Sequence, residues 1–128
     1  MWGALKAVVI VWMAVATLAT PALFHHLAWH LDDSSSTNIA RTQTKTIGKS
    51  VEQYKLKNGR YPTSVQGLDA LVNPPQGTPV MDRLPRDPWG KAYVYRMPGV
   101  VNVDSFDVVS AGPDGKPWTE DDIGNWTR

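Results

Sequence analysis

Four acids, Asp114, Glu120, Asp121 and Asp122, fall within nine residues near the end of the chain, set among Gly112, Gly115 and Pro117. Hard oxygen donors at such close spacing, on a loop whose glycines let backbone carbonyls turn inward, are what a calcium ion takes as ligands. EF-hand spacing is absent, because its pattern cannot be laid over Asp114-Gly-Lys-Pro. On the residues alone two readings stay open, a cation site and an acidic turn solvated by water. The three adjacent acids at 120–122 repel one another unless neutralised, which favours an ion or a cationic partner.

A second cluster holds His25, His26 and His30. His26 and His30 are four apart, hence on one helical face, and four-apart histidines can share zinc; beyond Asp33 the sequence offers no third ligand. The alternative is a set of histidines tolerated at a membrane interface. Catalysis is not expected. The serines lie mostly in the Ser34, Ser35, Ser36 run, no Gly-x-Ser-x-Gly elbow occurs, and there is no glycine-rich loop to cradle phosphate.

The elements that must position these residues follow from length, charge and periodicity. A chain of 128 residues has room for one small domain plus an accessory segment. A net charge of +1 does not suggest a nucleic-acid partner, and the absence of cysteine removes the usual staple of a small extracytoplasmic domain. With the histidines neutral, Lys6 is the only charged side chain before Asp32. Residues 7–24 carry no charge, and as a helix their eighteen residues span about 27 Å, against roughly 30 Å of bilayer hydrocarbon. Trp2 and Trp29 suit the two interfaces. The expectation is therefore a single membrane-spanning helix with its N-terminus in the cytoplasm, residues 1–31 forming the span and its flanks and residues 32–128 a separate folded domain. A cleaved secretory signal is the competing reading, although a cut after Thr20 would place Pro21 beside the scissile bond.

Pro21 should kink the apolar helix, and Asp32-Asp33-Ser34-Ser35-Ser36 offers a polar break or an N-cap. Ala40, Thr44, Ile47, Val51 and Tyr54 then recur at spacings of four and three, one narrow face of a helix that Asn58-Gly59 ends. The other faces are basic. Residues 41–60 hold six bases against the single acid Glu52, whereas residues 104–128 hold six acids against two bases. Thr63 and Gln66 make a capping box for a short helix over residues 64–72, expected to pack Val65, Leu68, Leu71 and Val72. Residues 91–97 and 104–110 read as an antiparallel strand pair turned by Pro98-Gly99, with a third strand near residues 100–103 and an irregular tail from Ala111. The fold class is α+β, a long N-terminal helix packed on a small antiparallel sheet.

Five motifs occur in order: YKLKNGRYP at residues 54–62, QGLDAL at 66–71, LPRDPWG at 84–90, FD at 106–107 running on to GPDG at 112–115, and DDIGNW at 121–126. This series resembles the major pseudopilins of bacterial type II secretion, the general secretion pathway protein G family, over residues 51–126. The resemblance implies a type IV pilin-like fold and a structural, non-enzymatic role. Subunits would polymerise through their N-terminal helices into a filament that helps push folded exoproteins through an outer-membrane secretin. It implies as partners other copies of the chain, minor pseudopilins, an inner-membrane secretion platform and membrane lipid, with no nucleic acid. The implied location is the bacterial inner membrane, single-pass, with the globular domain in the periplasm. It also implies calcium in the C-terminal loop, with side-chain oxygens from Asp114, Asp121 and Asp122 and backbone carbonyls from Ala111 and Thr119. At the N-terminus Met1-Trp-Gly-Ala-Leu-Lys6 departs from the family's pattern of a glycine, then a phenylalanine-led stretch with glutamate at its fifth position. That departure motivates a second reading, a non-polymerising, membrane-tethered periplasmic calcium-binding module or divergent minor pseudopilin.

Overall fold

The structure, a computed structural model, describes the chain from Pro21 to Thr127 and its side chains from Asp33 onward. Helix α1 runs Pro21–Asn58, 38 residues. The stripe of Ala40, Thr44, Ile47, Val51 and Tyr54 is buried along its whole length, as the four-and-three spacing predicts. Gly59 closes the helix in the left-handed region at φ +76°, its amide donating to the Lys55 carbonyl at 2.7 Å. Lys55 and Lys57 in the last turn oppose the negative end of the helix dipole.

Two expectations about this helix are corrected. Asp32 to Ser36 neither breaks nor caps it, since the helix passes straight through them. Serine and aspartate are only mildly unfavourable inside a helix, and a long run on both sides carries them along. The membrane-spanning first half is corrected as well, and with it the single-pass inner-membrane location. Among the described residues no helix is long and apolar enough to cross a membrane. From Pro21 the apolar character ends at Leu31, eleven residues or roughly 16 Å, before Asp32, Asp33 and three serines arrive. Residues 7–20 of the expected span lie outside the described residues, as do the side chains of His25, His26 and His30.

The chain separates into two compact units, Met1–Ser35 and Ser36–Arg128. Within the second, Thr63 and Gln66 form the expected capping box: Thr63 N donates to Gln66 Oε1 at 2.9 Å, and Gln66 N to Thr63 Oγ1 at 3.1 Å. Turns follow it, and helix α2 is only Asp69–Val72. Leu68 and Leu71 pack inward, but Val65 is 98% exposed, because its turn faces away from the core.

The sheet has three antiparallel strands in the order β1 (Val94–Arg96), β2 (Asp107–Ser110), β3 (Ile123–Gly124). Val94 pairs with Val109 and Arg96 with Asp107 in the expected hairpin. The third strand is not near residues 100–103, which bend and turn. It comes from the tail, Ile123 opposite Ser110 and Gly124 opposite Val109. Every residue of the central β2 is buried. The core gathers Ile47, Val51 and Tyr54 of α1 with Leu71, Tyr93, Phe106 and Val108, and the rings of Tyr61 and Phe106 meet edge to face at 5.1 Å. Thr44 Oγ1 lies 3.3 Å from the Gly124 carbonyl, linking the buried stripe of α1 to the edge strand β3.

Candidate functional site

The tail beyond β2 is where the spacing of acids pointed, and the structure does bring Ala111, Asp114, Thr119, Asp121 and Asp122 into one loop. What that loop does with its oxygens differs from the expectation. Asp114 Oδ1 accepts from Lys116 N at 2.7 Å, an Asx-turn. Asp121 Oδ2 accepts from Asp114 N at 3.1 Å, and its Oδ1 lies 2.6 Å from the Thr119 hydroxyl. Asp122 Oδ2 accepts from Trp118 N at 2.6 Å and from Thr119 N at 3.3 Å. The Thr119 carbonyl takes the Asp122 amide at 3.4 Å. Trp118 is held in the left-handed region at φ 73°, with Arg96 5.8 Å from its ring centroid.

These carboxylates close the loop on itself. The Asp121 carboxyl sits below the ordinary carboxylate range, first because the Thr119 hydroxyl donates to it and next because the Asp114 amide does. One oxygen, Asp122 Oδ1, is buried without a hydrogen-bond partner. A single orphan oxygen is not a ligand set, and the neighbouring Asp114 and Asp121 oxygens are turned to N–H and O–H donors. Among the described residues no group of three or more acids or histidines is placed to hold a metal ion. The calcium expectation, with Asp114, Asp121, Asp122, Ala111 and Thr119 as ligands, is therefore corrected: the residues present do not fit the ion.

Three polar side chains that the sequence reading passed over carry the frame instead. Asp87, 4% exposed, accepts from Trp89 N at 3.1 Å and Lys91 N at 2.7 Å through Oδ1, and from the Ser110 hydroxyl at 2.7 Å through Oδ2. Asp107, fully buried, accepts from the amides of Val100, Val101 and Asn102 at 2.5, 2.9 and 3.0 Å. Asn125 Oδ1 takes the Val108 amide at 3.0 Å while its Nδ2 donates to the Phe106 carbonyl at 3.2 Å. Aspartate before Pro-x-Gly in residues 87–90 is an Asx-turn signal that was available in the sequence. Asp107 was signalled only as an acid standing beside two valines in a strand.

Between α1 and the segment that carries β3, Arg41 and Lys45 line a cleft of about 190 Å³ with Asp122, Ile123, Gly124, Trp126 and Thr127. The remaining outward faces of the described unit are a basic helix, an acidic loop and a cluster of exposed valines. Such an arrangement suits association and offers no reacting pair of groups.

Comparison with known proteins agrees with this arrangement. The family model described as type II secretion system (T2SS), protein G, matches residues 29–126. The type II secretion system core protein G of Aeromonas hydrophila is 36% identical over 128 residues, covering 93% of this chain and 85% of that protein. The core protein G of Klebsiella pneumoniae is 46% identical over 86 residues, 60% of each chain. The crystal structure of the major pseudopilin from the type 2 secretion system of enterohaemorrhagic Escherichia coli superposes with a TM-score of 0.69 at 38% identity, covering 78% of this chain and 94% of that one. A long helix on a three-stranded antiparallel sheet, matched this widely by sequence and by structure, places the chain in the type II secretion system protein G family of major pseudopilins.

Proposed function

We propose that the chain is a structural, polymerising subunit of a type II secretion pseudopilus, acting in protein export and not in catalysis. The observation that carries this is the family match over residues 29–126, with the same helix-on-sheet architecture in the enterohaemorrhagic Escherichia coli protein. The polar anchors fit a structural part. Asp87, Asp107 and Asn125 are turned inward and committed to backbone and hydroxyl donors, so the surface is left to association. The partners that this reading implies are other copies of the chain, minor pseudopilins and the platform on which the filament is assembled. Deleting the gene in its own host should stop delivery of exported proteins to the medium, and re-expression should restore it. Unchanged export in the deletion strain would overturn the proposal.

A further inference from the structure

The loop between β1 and β2 is held with unusual firmness and shows solvent an unusual face. Asp107 fixes three successive amides, those of Val100, Val101 and Asn102, and also takes the Asn102 side-chain amide at 2.9 Å. Gly99 N donates to Ser105 O and Ser105 N to Asn102 O, each at 2.9 Å. Gly99 is required here, because a Cβ would stand 2.7 Å from both the Asn102 carbonyl oxygen and Asp107 Cγ. On this frame Val100, Val101 and Val103 are 50%, 49% and 64% exposed, and Asp104 beside them is exposed. Adjacent apolar side chains held out to water on a preorganised loop mark a contact surface, since little ordering remains to oppose binding.

The cleft beside α1 is the complement. Its wall is the largely buried Ile123 with Gly124, Trp126 and Thr127, and its rim carries the exposed cations Arg41 and Lys45, four residues apart and so on one helix face. Asp122 also lines the cleft, its Oδ2 taken by the Trp118 amide and its buried Oδ1 without a hydrogen-bond partner.

We propose that residues 100–104 of one copy dock in the Arg41/Lys45 cleft of a second copy, the valines against Ile123 and Trp126 and the Asp104 carboxylate against the two cations. The inference rests on the polymerising reading and names a contact within it. Apolar burial supplies the adhesion, and the charges set orientation and weaken as salt rises.

The chain has no cysteine, so single introduced thiols report one contact each. Full-length Thr127→Cys, at the exposed cleft residue Thr127, and Val103→Cys chains are co-expressed and oxidised, with Thr127→Cys plus Gln76→Cys as the control pair. An amine-reactive crosslinker reports multimers of any geometry in the same samples. The expected result is a Thr127→Cys/Val103→Cys heterodimer well above the control. Adding Asp104→Lys to the Val103→Cys chain should lower the yield about threefold, and Arg41→Glu in the other chain should restore it. Multimers by amine crosslinking without the specific disulfide would overturn the docking and leave polymerisation standing. Monomers by both methods would overturn both. A disulfide unaffected by Asp104→Lys would overturn the role given to the charges.

Discussion

Ser110 donates its hydroxyl to Asp87 Oδ2 at 2.7 Å, with both residues buried, and so ties the centre of the sheet to the turn that enters it. The other Asp87 oxygen meanwhile holds Trp89 N and Lys91 N. Asp87→Ala leaves these donors without a partner and should destabilise the folded unit by about 3 kcal/mol, whereas Ser110→Ala should cost about 1 kcal/mol. Urea unfolding midpoints check both. Equal midpoints for Asp87→Ala and wild type would mean that the turn does not depend on the carboxylate.

Asp107 should control one loop and little else outside it. In Asp107→Asn only one oxygen remains to accept, so the amides of Val100, Val101 and Asn102 should exchange with solvent at least about tenfold faster, with a stability loss of about 2 kcal/mol. Hydrogen exchange followed by NMR reads the three amides separately. Unchanged protection at all three would remove Asp107 from its anchoring role.

Much of this frame was legible and part of it was not, for local reasons. The buried face of α1 was readable because Ala40, Thr44, Ile47, Val51 and Tyr54 recur with the helical period, and Thr63 with Gln66 announced a cap. Strand β3 was hidden because two residues in a tail rich in glycine and aspartate show no period, and its pairing depends on Val109 and Ser110 far back in the chain. Asp107 and Asn125 left no short-range pattern, since the Val100 and Val108 amides they accept lie 7 and 17 residues away, whereas the role of Asp87 was signalled by its Asx-turn sequence. The acid spacing at 114–122 is equally compatible with oxygens converging on a cation and with oxygens turned to the loop's own donors. Only the geometry of Thr119, Trp118 and Lys116 distinguishes the two.

Alkaline pH should destabilise the domain from about pH 10, where a tyrosine of the unfolded chain begins to ionise. The Tyr93 hydroxyl, which donates to Gln43 Oε1, is pushed above its ordinary value, first by burial and then by the negative Asp87. Tyr95, donating to the Pro62 carbonyl at 2.8 Å, is raised by burial and then by Tyr61, Glu52 and Tyr54. With folded values raised, their contribution is complete below about pH 10 and is lost above it, as the unfolded chain ionises first. Tyr93→Phe should flatten the alkaline limb of stability against pH. An unchanged limb in that variant would contradict the assignment.

At the acid end the sign is reversed. The Asp121 carboxyl is lowered by the Thr119 hydroxyl and then the Asp114 amide, so its contribution is present above the ordinary aspartate value of about 3.9 and fades as pH falls through the lower folded value. Thr119→Val removes the leading cause and should shrink this loss. NMR titration of the Asp121 side chain measures it directly, and an identical curve in Thr119→Val would refute the cause.

Polymerisation by the chain itself is the central claim, and crosslinking of the full-length protein with an amine-reactive reagent across a range of concentrations and salt tests it most directly. The account predicts a ladder that extends well beyond the dimer, grows with concentration and thins as salt rises. A band pattern that stops at monomer under every condition would contradict it.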